Sequence, residues 1–545
     1  MRNATVFLLL LLTTIFHSNA QNYYWVEFTD KSDTEFSISS PGDYLSVRAI
    51  QRREKQSIPI DSLDLPVNSV YIDSVLTLDV ELVHSSKWLN GITVKSIVDS
   101  VEIAFPEWTF IKEVQLTKPN RKTKSTINKF IELSVTDQEP IDTSVYGESV
   151  HQVGMLNGQY FHNQDFKGQG MHIAVLDGGF LDANINSAFD SLWANNQILG
   201  IKDFVNSDVD FYSTHYHGMS VLSCMGGNIP GQLIGTAPKA SYWLIRSEDT
   251  NSEYIIEEDN WVVAAEFADS VGADIINSSL GYYQFDDASA NHTYTDMDGK
   301  TTRVTMAANI AASRGMLVFS SAGNEGNKDW KYIIAPSDGD NVIGVGAVDW
   351  DGNPAGFTSY GPASDGDVKP NVSAVGLKAI AQKSDGGVGY IAGTSFSSPI
   401  LAGMAACLWQ MNPARTALEV KEAIELSGHI YNTPSSLLGY GIPDMRWAAI
   451  LLSNQSVPDT GISTKWLVYP NPVNDFLILQ NNELQNQNKI YIELFSAEGQ
   501  LIKNWIKHGS SRIILKDLPD TAPGLFLLRI STENYFETVK LSKNR

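Results

Sequence analysis

A chain of 545 residues, 43% of them hydrophobic, is too long for one core and suggests about three or four units at roughly 150 residues each. Its net charge of -23 argues against nucleic acid as a partner, and its two cysteines, Cys224 and Cys407, are too few for a disulfide-stapled scaffold and read as buried thiols. The charge is uneven: Thr464 to Arg545 holds ten Lys and Arg against eight Asp and Glu, a balance of +2 that leaves -25 for the remainder and sets the tail apart.

Residues 1–20 combine Arg2, the apolar run VFLLLLLTTIF and the small-residue ending Ser18-Asn19-Ala20, the layout of a secretory signal peptide cut after Ala20. No later run reaches membrane-spanning length, so the mature chain is expected to be soluble. Residues 21–117 mix strand-like runs (YYWVEF, ITVKSIV, SVEIAF) with helical stretches at Tyr44–Lys55 and Val67–Leu76, which predicts a small α+β unit. The basic, turn-rich KPNRKTKS opens a linker over 118–140 that could also be a processing site.

Over 141–452 the pattern becomes strands alternating with helices. The runs HIAVL, SYWLI, DIINSSL, MLVFSSAG and VIGVGAV read as buried parallel strands, with helical patterns between them. This predicts an α/β domain, a parallel sheet with helices on both faces, whose ligand crevice lies at the carboxyl ends of the strands. After a linker at 453–464, residues 465–545 show only short alternating strands, the pattern of an antiparallel β-sandwich.

The chemistry-bearing candidates sit where that fold places a site. HIAVL runs into Asp177-Gly178-Gly179, a carboxylate at a strand end, although Asp-Gly is also ordinary turn chemistry. His217 opens the helical stretch HGMSVLSCMGG as either a catalytic base or a polar cap, and His215, two residues earlier, reads as an ordinary loop residue. Asn324, in SSAGNEG after another strand, carries an amide that can donate to an oxyanion or simply make a turn. In GTSFSSPILAGMAACLWQ the small residues predict a buried helix. Pro399 fits only a first turn, so the helix should begin near Ser395 or Phe396, with Ser395 at its positive mouth and Ser397 and Ser398 in structural roles. The insertion QFDDASANHTYTDMDGK groups Asp286, Asp287, Asp296 and Asp298. It lacks EF-hand spacing and reads as a solvated acidic loop rather than a calcium site.

Asp, His and Ser occur in the chain order that distinguishes subtilisin from the chymotrypsin and α/β-hydrolase arrangements. The sequence resembles the subtilisin-like serine peptidases, with DGG, HGM and GTSFSSP standing for the three family signatures and SSLG, SAGNEG, FTSYGP and KPNVSAVG as further matches. It departs at Gly178, at Met219 and at Phe396-Ser397-Ser398. The resemblance implies a serine endopeptidase with Ser395 as nucleophile, His217 as base, Asp177 as its orienting acid and Asn324 in the oxyanion hole. It further implies substrate binding along Ser278, Ser279, Leu280 and Gly281, with Glu325 near the primary specificity pocket, where an acid would favour basic residues. No cofactor is implied, and a structural calcium ion is compatible with it. An inactive scaffold used for surface binding is the rival reading.

The flanking units carry resemblances of their own. Residues 21–117, with FTDKSD, RAIQRRE and SKWLNGITV, resemble the propeptides of bacterial secreted subtilases, which implies an inhibitor and folding aid. The tail, with YPNPVNDFLIL, GLFLLRI and ETVKLSK, resembles the C-terminal sorting domain of the type IX secretion system. It implies export by that machinery through the periplasm and outer membrane of a Gram-negative bacterium, to the medium or the cell surface. Protein or peptide substrates and the chain's own propeptide are the remaining partners implied.

Overall fold

The computed structural model describes residues 21–96, 103–119, 127, 129–130, 145–431 and 433–453. Further on it describes 466–470, 473, 476–480, 489–496, 500–507, 512–516, 518–519, 523–532 and 535–543. The expected signal peptide, most of the 118–140 linker and residues 454–465 lie outside the described residues. The chain divides into two compact units, Met1–Ala449 and Ile450–Arg545.

The N-terminal part of the first unit is an antiparallel sheet of β1 (Tyr23–Phe28), β2 (Val80–Ser86), β3 (Gly91–Ser96) and β4 (Ile111–Lys118), in the order β2-β3-β1-β4. Two helices accompany it, α1 (Val47–Lys55) and α2 (Ser69–Val75). Ser46 caps α1 by accepting from the Ala49 N–H at 3.2 Å, which satisfies one of the free donors of its first turn. Val26, Ile92 and Val94 of the sheet close over Val75 to form the core.

Two strand expectations change here. Residues 103–105 of SVEIAF are not strand; Ile103 and Phe105 pack on the core from an irregular segment. The fourth strand is IKEVQLTK, whose alternation is broken by register shifts against β1 at Tyr23/Tyr24 and Glu27/Phe28, so a period-2 pattern misses it.

The main sheet has seven strands, all paired in parallel: β5 (His172–Asp177), β6 (Ile198–Asp203), β7 (Ser241–Arg246), β8 (Ile275–Ser278), β9 (Leu317–Ser321), β10 (Val342–Val348) and β11 (Val372–Val375). Their order is β11-β10-β9-β8-β5-β7-β6. On one face α4 (Ile256–Val271) and α5 (Arg303–Ser313) bring Trp261, Ala265, Ala268, Val304 and Ala308 onto Leu176, Ile276 and Val318. On the other lie α3 (His217–Gly226) and α6 (Thr394–Met411), packed against each other, with α6 running along β8 to β11. Helices on both faces explain why these strands read as continuous apolar runs. Cys224 and Cys407, one on each of these helices, are free and buried, and burial pushes both thiols up, leaving them inert.

The helix α6 begins at Thr394, so Pro399 falls in its second turn rather than its first. A proline there cannot donate to the carbonyl four residues back, that of Ser395. Ser279 Oγ supplies the missing partner, donating to the Ser395 carbonyl at 2.8 Å, and so ties the helix mouth to the segment after β8. The interruption expected to set the helix start instead opens a bond across the site.

The α+β unit sits on α4 of the main domain through charge. Asp269 of α4 is fully buried and receives Arg52, Arg53 (2.8 Å) and Lys87 (3.1 Å), all from the N-terminal unit. One turn earlier, Glu266 accepts from Ser86 Oγ (2.6 Å) and from the Lys87 and Trp88 N–H groups (2.9 and 3.0 Å). Burial alone would raise the Asp269 carboxyl, but Lys87, Arg52 and Arg53 outweigh it and hold it at about 2. The pKa is depressed from 3.8, so this attachment is fully present above about pH 4 and is lost as the pH falls through 2. Asp269→Asn leaves three buried cations facing a neutral amide, a loss of about 3–5 kcal/mol. The expected result is a ~10²- to 10⁴-fold weaker hold on the N-terminal unit once the link between the two is cut, read by its loss from the main domain in gel filtration.

In the second unit a three-stranded sheet (Leu467–Tyr469, Leu477–Gln480, Arg512–Leu515) and a four-stranded one (Ile490–Ser496, Leu501–Lys507, Gly524–Thr532, Tyr535–Lys543) share one core. Leu477, Leu479 and Leu515 from the first meet Ile492, Trp505 and Leu528 from the second, which makes a β-sandwich as expected.

Candidate active site

The carboxyl ends of β8 and β9 and the N-terminus of α6 line one cleft. The end of β5 and the N-terminus of α3 lie beside it, with the rings of His217 and Phe396 5.6 Å apart. Asp177 ends β5 with no exposure, and its Oδ1 accepts from the Gly178 N–H at 2.7 Å. His217 Nδ1 lies 2.8 Å from Oδ1 and 3.0 Å from Oδ2 of the same carboxylate. The glycines here are spatial requirements. A Cβ on Gly218 would stand 2.8 Å from Asp177 Cβ, and one on Gly179 would stand 2.3 Å from the His215 backbone nitrogen. Strand end and helix start therefore approach closely enough to pair Asp with His. His215 is more than a loop residue, because its Nδ1 accepts from the His217 N–H at 3.2 Å and fixes the entry to α3.

Ser395 occupies the first turn of α6, where the backbone N–H groups lack intrahelical partners. It is 8% exposed, and its Oγ donates to the Ser279 carbonyl at 3.4 Å rather than to His217. Such bonds are often long before substrate binds and tighten in the reacting complex. Ser397 Oγ donates to the Thr394 carbonyl (3.0 Å) and Ser398 Oγ to Asn277 Oδ1 (2.8 Å), so both hydroxyls are engaged in structure. Asn277 also donates to Ser279 Oγ at 3.2 Å and thereby positions the contact between Ser279 and α6.

Asn324 follows β9. Its Oδ1 accepts from the Thr394 N–H (2.9 Å) and Thr394 Oγ (3.0 Å), which fixes the amide so that Nδ2 is the end left for the cleft. Asn324 and Ser395 line one cavity of about 470 Å³ together with Ser279, Leu280, Gly281 and Glu325. Ser278 does not line it; its buried hydroxyl accepts from Trp261 Nε1 at 2.8 Å. Glu325 is bonded on both oxygens, by Tyr283 (2.7 Å) and by Lys328 (2.9 Å), so its charge is already balanced within the domain.

Two features of the cleft escaped the sequence reading. Phe130 lies over His217, ring centroids 4.0 Å apart, and over His215 at 4.7 Å. A Cβ on Gly178 would stand 3.2 Å from its ring, so this glycine makes room for it. Beside it Lys129 enters a cage of Glu248, Glu253 and Glu257. The crowding of acids in SEDTNSEYIIEED was the available signal, but it reads equally as an exposed helix start.

The acidic insertion forms no such group. Asp287 caps Ser289, Asp296 closes a capping box with Thr293, Asp298 accepts from Lys300 and Thr301, and Asp286 accepts from the Glu253 N–H. Apart from the Asp286 bond, these are local backbone bonds, and the four carboxylates are not among the convergent groups that could hold a metal ion in the described residues.

Comparison with known proteins gives the same arrangement a family. The subtilase family matches residues 168–441, half of the chain. The chain belongs to the subtilase family. As a subtilase it is a serine-type endopeptidase. It is flanked by a match to the peptidase S8 propeptide domain of Bacteroidota over 23–130 and to a secretion system C-terminal sorting domain over 467–544. The sorting domain marks the chain for secretion or the cell surface, and no helix among the described residues is long and apolar enough to cross a membrane.

The relatives are bacterial peptidases. The thermostable alkaline protease of Halalkalibacterium halodurans is 26% identical over 332 residues, 61% of this chain and 79% of its own. Subtilisin E of Bacillus subtilis is 27% identical over 311 residues, 56% of this chain and 72% of its own. Among solved structures, the prenylagaramide maturation protease PagA covers 54% of this chain and 98% of its own at 23% identity, with a TM-score of 0.44.

Proposed function

We propose that this subtilase cleaves peptide bonds with Ser395 as nucleophile, His217 as general base and acid, and Asp177 as the group that holds the imidazole tautomer. The observation that carries this reading is the buried Asp177–His217 pair at 2.8 Å, whose imidazole lies 5.6 Å from the ring of Phe396, the neighbour of Ser395 at the mouth of α6. Ser395 Oγ attacks the scissile carbonyl carbon as its proton passes to His217 Nε2. The amine leaves with that proton, and water then hydrolyses the acyl-enzyme by the same route. Negative charge on the tetrahedral oxygen is held by the Ser395 N–H and Asn324 Nδ2, the second kept in place by the two Thr394 bonds on Oδ1. Leu280 and Gly281, beside Ser279, offer backbone to an extended substrate.

The proposed organisation is a signal peptide at 1–20, a propeptide over 21–117 with its linker to 140, a peptidase domain over 141–452 and, after a linker at 453–464, a sorting domain over 465–545. The sorting domain supports export through the periplasm by type IX secretion machinery. Labelling by a fluorophosphonate probe tests the assignment. It is expected in the processed protein, absent in Ser395→Ala and retained in Ser397→Ala and Ser398→Ala, and no labelling of processed wild type would sink it. Asn324→Ala is expected to lower kcat by ~10²- to 10³-fold with KM little changed, the range for removing one such donor in subtilisin. Steady-state kinetics on a peptide substrate reads the split.

A further inference from the structure

We infer that the cage formed by Glu248, Glu253 and Glu257 is a substrate subsite for a lysine side chain on the acyl side of the scissile bond. This rests on the peptidase reading above and names a substrate class for that cleft. Glu248 and Glu253 line the same cavity as Ser395 and Asn324. All three carboxylates are buried, with exposures of 2%, 4% and 0%, and ligand oxygens from the three lie within 4.8 Å of one another.

Three carboxylates that close, out of water, disfavour their own charged forms: burial and mutual repulsion raise Glu253 and Glu257, and a cation among them offsets this. The cation present is Lys129, whose Nζ pairs with Glu248, Glu257 and Glu253 (2.8 Å) and donates to the Asp249 carbonyl at 2.9 Å. It belongs to the segment that the propeptide match ends on and lies outside the subtilase match at 168–441. Burial would lower the ammonium's affinity for its proton, but Glu248, Glu257 and Glu253 outweigh it and hold the charge firmly on.

Two further observations point to a ligand rather than a structural ion pair. Glu253 Oε1 is buried with no hydrogen-bond partner, an acceptor that Lys129 leaves unfilled. Glu325, which lines the same cavity, is balanced by Lys328 of its own domain, whereas the ion-pair partner of the cage comes from outside that domain. In chain direction Lys129 reaches the cage and the next residue, Phe130, reaches His217. A substrate following the same path presents a lysine before its scissile bond, and its ammonium replaces that of Lys129 once the propeptide has left.

The test uses the processed enzyme and internally quenched octapeptides with the sequence of residues 127–134, carrying lysine or norleucine at the position of Lys129. Norleucine keeps the carbon stem and removes the charge. The expected kcat/KM ratio favours lysine by about 10²-fold, falling below about 10-fold in Glu253→Gln. Equal cleavage of the two peptides by enzyme that a fluorophosphonate still labels would overturn the subsite while leaving the peptidase reading intact. A ratio unchanged in both Glu253→Gln and Glu257→Gln would also overturn it. So would a lysine preference that appears only after EDTA treatment, since the cage would then be a divalent-cation site. Absence of labelling would remove the peptidase reading and the subsite with it.

Discussion

Ser395→Ala is expected to lower kcat by ~10⁶-fold, the loss found on removing the nucleophile of subtilisin. If maturation is self-catalysed, the full precursor accumulates, read as an intact mass on secretion. The fold is expected to survive. Ser395 Oγ makes only a 3.4 Å contact with the Ser279 carbonyl, while the stronger link, Ser279 Oγ to the Ser395 carbonyl at 2.8 Å, involves backbone that the substitution keeps. A stability change of about 1 kcal/mol or less follows. Ser398→Ala is the converse. It removes the donor to buried Asn277 Oδ1 and costs about 1–3 kcal/mol in denaturant unfolding, yet leaves the nucleophile in place. Activity lost without stability in one variant, and stability lost without activity in the other, would separate three neighbouring serines by role. Turnover within about tenfold of wild type in Ser395→Ala would exclude it as nucleophile.

Asp177→Asn is expected to reduce kcat by ~10⁴-fold with KM within a few-fold, and to slow fluorophosphonate labelling by a similar factor. Asp177 Oδ1 already accepts the Gly178 N–H, and both carboxylate oxygens face His217 Nδ1. An asparagine there can turn its NH2 toward Nδ1. The imidazole then carries its proton on Nε2 and cannot take one from Ser395. The imidazolium that forms during attack also loses its buried counter-charge. Since substrate does not touch Asp177, the effect belongs in kcat. A loss smaller than tenfold would mean that the imidazole is oriented by groups other than Asp177.

These expectations draw unequally on sequence and structure. Asp177, His217, Asn324 and Ser395 could be proposed from sequence because each sits at the end of a strand or the start of a helix, within a few residues of glycines that the close approach demands. Fold class was legible for the same local reason, since continuous apolar runs alternating with helical stretches leave few architectures. The β-sandwich tail announced itself by alternation and by its own charge balance. In the N-terminal unit, by contrast, β4 was missed where bulges break the alternation, and Ile103 with Phe105 imitated a strand while packing from an irregular segment.

What the amino-acid order by itself put forward was therefore the set of groups proposed to react, which depends on backbone geometry a few residues long. Only the tertiary structure decided how charge is distributed around them. Glu325, the acid that sequence position put forward, is balanced by Lys328 three residues on, whereas Lys129 and Glu257, 128 residues apart, meet inside the cleft. Arg52 and Asp269, 217 residues apart, hold the N-terminal unit on the domain. Pairings at such separations leave no periodicity in the chain, and their energy depends on burial, which no local window of sequence records.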